Sequence, residues 1–177
     1  MYRIMITGGP GSGKSTLAQI MGEQTGLPVY HMDHIHWKSG WVERTKAEKD
    51  AMTHDVHNRE AWIFEGNHSS TYAARAARAD TLIWLDLPVV LRQWRVFARM
   101  IKTYGIVRPD MSEGCPERFD QGTLDFWRFI WRTRSTARIK IADLAASNTH
   151  LTVHHLTSRS QVTAFIANLP AKQESQP

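Results

Sequence analysis

Gly8-Gly9-Pro10-Gly11-Ser12-Gly13-Lys14-Ser15-Thr16 is the stretch that decides the fold. Gly8, Gly13, Lys14 and Ser15 satisfy the spacing G-x-x-x-x-G-K-[ST]. On the N-terminal side, Arg3 to Thr7 is a short apolar run that stops at glycine, which predicts a buried strand. On the C-terminal side, Leu17, Ile20 and Met21 recur at helical spacing before Gly26, which predicts a helix over Lys14 to Gln24. Strand, glycine loop and helix in this order aim backbone N–H groups and a helix N-terminus at one point, an arrangement suited to polyphosphate. Lys14 is then expected to bridge the β- and γ-phosphates of a nucleoside triphosphate, and the Ser15 hydroxyl to reach Mg²⁺. A dinucleotide loop needs G-x-G-x-x-G, and reading from Gly9 through Gly11 puts Lys14 where the last glycine belongs. The chain also lacks an Asn/Thr-Lys-x-Asp tetrapeptide for guanine, so ATP is the expected nucleotide.

Outward from the loop, strands and helices alternate. Leu27 to His31, Ala61 to Glu65, Thr81 to Asp86 and His150 to His154 read as four further strands. Helices are expected over Thr45 to Glu60, Tyr72 to Ala79, Val90 to Tyr104, Asp120 to Asn148 with breaks, and Ser160 to Leu169. In Val90 to Tyr104, Leu91, Trp94, Ala98 and Ile101 form the expected core stripe, beside a basic stripe of Arg92, Arg95, Arg99 and Lys102. The alternation predicts an α/β domain over residues 1–169, a parallel sheet covered on both faces, with a frayed tail at 170–177. Function is expected at the carboxyl ends of the strands. Residues 105–119 hold Pro109, Gly114 and Pro116 without periodicity, and a loop that long is usually functional or mobile.

A chain of 177 residues carries a net charge of +5, which invites nucleic acid as a partner. The excess is local, with eleven Lys/Arg against five Asp/Glu between Arg92 and Lys140, and a polyphosphate calls for the same field. No helix-turn-helix, zinc finger or arginine-rich tail accompanies it. No apolar run is long enough to cross a membrane, and the single cysteine, Cys115, forms no internal disulfide, so a cytoplasmic location is expected. The oligomeric state is not legible.

Several residues are candidates for the rest of a phosphoryl-transfer site. Asp33, just past the second strand, has the chemistry to accept a hydroxyl proton or to hold Mg²⁺ through water. His31, His34 and His36 alternate sides if extended and have no cysteine beside them, which argues against a transition-metal site. His34 borders the acceptor side, where Trp37 and Trp41 either wall a pocket or pack the core edge. Glu65 and Asp86 each end a strand, and either suits Mg²⁺. Developing negative charge on the transferred group calls for cations. Arg108 and Arg118 bracket the 105–119 loop as a candidate lid, Arg95 and Arg99 share one helix face, and Arg128 and Arg132 share another.

The phosphate loop, Asp33-His34-Ile35-His36-Trp37 with Trp41, Trp62-Ile63-Phe64-Glu65-Gly66-Asn67, Leu85-Asp86-Leu87-Pro88 and the Arg108 to Asp120 loop together resemble the FlaR-type topology modulation proteins. These are similar to the adenylate kinase and shikimate kinase superfamily of small P-loop kinases. The resemblance runs over about residues 2–169. It implies a three-layer P-loop NTPase fold, a five-stranded parallel sheet in order 2-3-1-4-5, a mobile lid at about 105–119, and transfer of the ATP γ-phosphoryl group to a small molecule. Asp33 matches the position that holds an acceptor hydroxyl, Glu65-Gly66 the acidic-Gly pair, and Arg159 the loop that touches adenine. Glu65 and Asn67 then border the acceptor. Asn67-His68 stands where nucleoside monophosphate kinases carry a Pro-Arg pair, which argues against a monophosphate acceptor. The family name also raises an alternative, an ATP-binding regulator associated with DNA and without kinase activity.

Overall fold

Ile4, Met5 and Ile6 of strand β1 (Arg3–Gly8) are all fully buried, as a strand covered on both faces requires. In the computed structural model, which describes residues 1–169, β1 is the centre of a five-stranded parallel sheet. The others are β2 (Val29–His31), β3 (Trp62–Glu65), β4 (Thr81–Leu85) and β5 (Thr152–Leu156), and the order is β2-β3-β1-β4-β5. The expected order is therefore found. The tail expected at 170–177 lies outside the described residues.

Alternation along β1 sends Ile4 and Ile6 to one face and Met5 to the other. On the first face they pack with Ile63, Ile83 and Leu85 beneath α1 (Lys14–Thr25) and against Val162 and Phe165 of α7 (Arg159–Ala167). On the second, Met5, Phe64 and Trp84 meet α2 (Met32–His36), α3 (Lys46–His57), α4 (Tyr72–Arg78) and the C-terminal part of α6 (Gln121–Ser147). Three layers result, as expected. Register places Ile6 beside Glu65 and Gly8 beside Leu85, so the carboxyl ends of β3 and β4 flank the start of the phosphate loop.

The elements differ from the sequence reading in five places. Asp33 sits on the short helix α2, not in a loop, and β5 begins two residues later than expected. An antiparallel ribbon, Trp37–Lys38 with Val42–Glu43, stands outside the main sheet. Asp120 caps a single unbroken helix α6, its side chain accepting from Thr123 N. The largest difference is the phase of α5 (Val89–Lys102), which buries Arg92, Val96 and Met100 and leaves Trp94 and Ile101 in solvent. Arginine is long enough to cross a core-facing position and end on a polar group, so its charge hides an inward position from any hydrophobic periodicity.

Behind the site, Arg75 is fully buried, its guanidinium 3.9 Å from the centre of the Phe64 ring while Nη1 donates to Gly66 O at 2.8 Å. Gly66 has φ 110°, and a Cβ there would lie 2.4 Å from Met32 Cβ. Gly66→Ala is expected to cost about 1–3 kcal/mol, lowering the melting temperature by about 2–4 °C for each kcal/mol. Thermal denaturation followed by circular dichroism checks it.

Candidate active site

The phosphate loop is shaped by glycines that adopt positive φ, Gly8 at 147°, Gly11 at 77° and Gly13 at 95°. Ser12 N donates to Gly9 O and Leu17 N to Gly13 O, so the loop closes on itself before the helix begins. Two neighbours hold it from outside. Asn67 Nδ2 donates to Gly8 O at 2.8 Å while its own Oδ1 accepts from Tyr72 Oη at 2.8 Å. Arg92 donates through Nε to Leu87 O and through Nη1 to Pro10 O, and its guanidinium occupies the space a Cβ on Gly9 would need.

Asn67, expected beside the acceptor, thus spends its amide on the loop. Asn67→Ala leaves the Gly8 carbonyl and the Tyr72 hydroxyl without these partners, and about 1–3 kcal/mol of stability should be lost. Urea unfolding at constant m-value measures that loss directly.

Lys14 stands at the mouth of the loop, its Nζ 3.4 Å from Gly9 O, and among the described residues it has no ion-pair partner. Burial pulls its ammonium below the ordinary lysine value, against the opposing charges of Glu65 and Asp33. Beside it, one carboxylate oxygen of buried Glu65 accepts from Ser15 Oγ at 3.1 Å and from His31 Nδ1 at 2.8 Å. Burial opposes protonation of His31, but its hydrogen bond to Glu65 and that charge raise its pKa. Asp33 is pushed above the ordinary carboxylate value by burial and by the Glu65 charge, with Lys14 and Arg108 pulling the other way. The three histidines diverge, His31 to Glu65, His34 to Pro109 O at 3.0 Å and His36 to Glu43 at 3.3 Å.

The 105–119 segment is docked over this group. Trp41 Nε1 donates to Pro116 O at 3.1 Å, Gly40 N to Gly114 O at 3.1 Å and Ser112 Oγ to Trp37 O at 2.6 Å. Trp41 is held at φ 64°, a conformation a bulky residue keeps only when its surroundings fix it. Trp37 and Trp41 meet edge to face, 5.3 Å between ring centres, so they carry the loop and do not line the groove below it. From the loop, Arg108 binds both oxygens of Asp110 at 2.7 and 2.9 Å. Burial works against ionised Asp110, but Arg108 and the Ser15 hydroxyl outweigh it and hold its pKa down. Glu117 Oε1 lies 2.9 Å from Arg108 Nε and 3.4 Å from Arg99 Nε, off the hydrogen-bonding axis of each, so it holds both arginines by charge.

A groove of about 610 Å³ runs between α1 and this loop, and Lys14, Ser15, His31, Arg99, Arg108 and Asp110 line its inner end. Thr16, Gly11 and Gly13 also face it. Arg95 donates to Ser12 O at 3.2 Å, and Arg159 is near enough for the two charges to be felt. Other arginines named from sequence lie elsewhere. Arg118 is exposed, as are Arg128, paired with Asp125 at 3.0 Å, and Arg132. The reason is that α6 turns Ile130 and Ile141 to the core, which sends positions 128 and 132 to its opposite face. Asp86 is also elsewhere, on the β5 side of the loop, where Arg138 Nε at 2.8 Å and His155 Nε2 at 3.0 Å take its carboxylate. Ser15 meets Glu65 and not Asp86. Sequence reasoning missed Arg92 as a support and Asp110 as a lining residue. Its nearest signal for Asp110 was a carboxylate two places after Arg108 inside an unpatterned loop.

A glycine loop between a buried central strand and α1, in a parallel sheet of this order and beneath a cation-bearing loop, defines a P-loop NTPase fold. The chain belongs to the AAA domain family, which it matches over residues 4–98. No curated protein matches it by sequence. Among solved structures it is similar to a shikimate kinase from Acinetobacter baumannii in complex with shikimate, at 14% identity and TM-score 0.53, over 94% of this chain and 90% of that one. It is also similar to a gluconokinase from Sinorhizobium meliloti 1021, at 14% identity and TM-score 0.51, over 94% of this chain and 91% of that one. At such identity the likeness is one of fold. No helix of the described residues is long and apolar enough to cross a membrane.

Proposed function

We propose that the protein is an ATP-dependent phosphotransferase that moves the γ-phosphoryl group to a hydroxyl of a small-molecule acceptor. The observation that carries this reading is Lys14, a half-buried cation with no ion-pair partner among the described residues, facing a groove whose backbone is opened by glycines. A charge partly withdrawn from water in that way is completed by a ligand of opposite charge. The partnerless, buried Ser12 Oγ within the same loop fits a ligand rich in acceptors.

In this reading Lys14 and the N–H groups of Gly9, Gly11 and Gly13 to Thr16 hold the phosphates, while Arg99 and Arg108 draw charge from the transferred group as it develops. Arg95 and Arg159 flank the nucleotide base. Ser15 and Glu65 fit Mg²⁺, since this ion takes one or two protein oxygens and keeps phosphate and water for the rest; when bound it neutralises phosphate charge. His31 fixes the Glu65 carboxylate for that task. Asp33 accepts the proton of the acceptor hydroxyl, and its raised pKa brings its basicity nearer to neutral pH. His34 and the loop it meets at Pro109 close the acceptor side and exclude water. The loop opens to admit substrate, and the contacts at Trp41, Gly40 and Ser112 are those it breaks. The domain works as one unit over residues 1–169, and the narrower likeness to the FlaR-type proteins is supported by the string of motifs from Asp33 to Asp120.

Titration calorimetry with ATP and with GTP, each with and without Mg²⁺, tests the donor half. ATP binding strengthened by Mg²⁺ is expected; equal binding of GTP would overturn the base assignment, and no binding of either would overturn the whole reading.

A further inference from the structure

Trp94 and Ile101 occupy the positions of α5 that hydrophobic spacing marks as core, yet they are 62% and 57% exposed. They belong to a series. Val90, Trp94, Phe97, Ile101 and Tyr104 follow at steps of four, three, four and three residues, the spacing of the a and d positions of a helix that pairs with another helix. Tyr104 continues the series just past the end of α5 at Lys102. Phe97 is half-buried, with Trp94 5.9 Å away on one side and Trp127 of α6 5.6 Å away on the other. Leu124 and Trp131 extend the apolar surface along the same side of α6 as Trp127, at intervals of three and four residues, and about half of each is exposed. Scattered exposed apolar residues are ordinary, but a seam at this spacing is not.

Charge and area indicate what covers it. The cations of α5 are turned away from the seam: Arg92 reaches Pro10 O, Arg95 reaches Ser12 O and Arg99 faces Glu117. Gln93 and Ala98 flank the seam on α5, with Lys102 near one end and Arg134 of α6 over the Trp131 ring at 4.4 Å, so the Trp94, Phe97 and Ile101 stretch along which two copies meet carries no charge of its own. An anionic membrane or a nucleic acid calls instead for cations along the aromatic residues. The exposed parts of Val90, Trp94, Ile101, Tyr104, Leu124 and Trp131 amount to roughly 700 Å², against about 800 Å² per partner in a standard interface.

We propose that α5 packs against α5 of a second copy of this chain, giving a two-fold symmetric dimer along the Val90 to Tyr104 seam. The phosphate loop lies on the opposite side of the helix, so pairing leaves the groove open. In such an isologous contact each seam residue is used twice, once in each protomer.

Sedimentation velocity of the full chain over about 1–100 µM tests this. The expected result is a species of twice the 20.3 kDa chain mass that dissociates on dilution. The double variant Trp94→Glu, Ile101→Glu should sediment at 20.3 kDa with an unchanged circular dichroism spectrum, because both side chains are exposed. Phe129→Glu, an exposed aromatic away from the seam, should remain dimeric. If the double variant loses its fold, the single variant Ile101→Glu serves, with the same 20.3 kDa expected. A wild-type monomer throughout, or a dimer that survives in a folded seam variant, would overturn the proposal. So would a monomer that sediments with anionic vesicles or with duplex DNA.

Discussion

Lys14→Ala is expected to lower turnover by about a hundredfold or more, the scale on which a preorganised charge stabilises a developing anion. The side chain removed places its ammonium 3.4 Å from the loop carbonyl of Gly9, and Arg99 and Arg108 approach the groove from the opposite wall. They do not replace it, because Glu117 and Asp110 already bind them. The substitution also leaves Glu65 and Asp33 facing each other without the charge that offsets both, so ATP affinity and the response to Mg²⁺ should change together. Steady-state kinetics with calorimetric ATP titration separates the two. A variant that keeps wild-type turnover with only a raised KM for ATP would show that Lys14 binds the ground state and transition state equally.

Asp33→Asn is expected to remove most transfer while sparing ATP binding, and to make the protein more stable at neutral pH. The groups that face Asp33 are Glu65, Lys14, Arg108, Asp110, Arg99 and His31. Burial and Glu65 prevail, so its folded pKa lies above the ordinary 3.8. The folded state therefore holds a proton that the unfolded state has lost, and the ionised aspartate destabilises the fold increasingly as pH rises from 3.8 through the raised value. Asparagine carries no such penalty. Its gain in melting temperature should be present at about pH 7.5 and shrink toward pH 4, which differential scanning calorimetry at several pH values reads directly. The wild-type rate should fall as pH drops through the same raised pKa, because a proton acceptor must be ionised. Equal melting temperatures at neutral pH, or unchanged transfer, would remove Asp33 from that role.

Much of this architecture was legible because local chemistry determines it. Ile4 to Ile6 and Thr81 to Leu85 are apolar runs that only a doubly covered strand can bury, and the glycine spacing from Gly8 to Gly13 admits few backbones. The phase of α5 was not legible. There Arg92 reaches inward to Leu87 O and Pro10 O while Trp94 faces outward, so the polar residue and the apolar one exchange their usual sides. Asn67 misled for another reason: its amide meets Gly8 across 59 positions of chain, a contact that neither spacing nor composition encodes. The same holds for Asp110, brought beside Ser15 and Arg108 by a loop whose docking depends on Trp41. Glu65 and Asp86 are equivalent strand-end acids in sequence. Only the sheet order separates them, setting Glu65 by Ser15 and His31 and Asp86 by Arg138 and His155.

The central claim, that the groove beneath the 105–119 loop joins an ATP donor to a small hydroxyl-bearing acceptor, is tested most directly by a transfer assay. Purified protein is incubated with ATP, Mg²⁺ and a panel of small polyols, hydroxy acids and nucleosides, and products are read by mass spectrometry beside the Lys14→Ala variant. The expected result is one class of acceptor gaining a phosphoryl group, with ADP formed in equal amount, only by the protein that retains Lys14. Stable ATP binding with no phosphorylated product from any acceptor, or a product formed equally by Lys14→Ala, would contradict it.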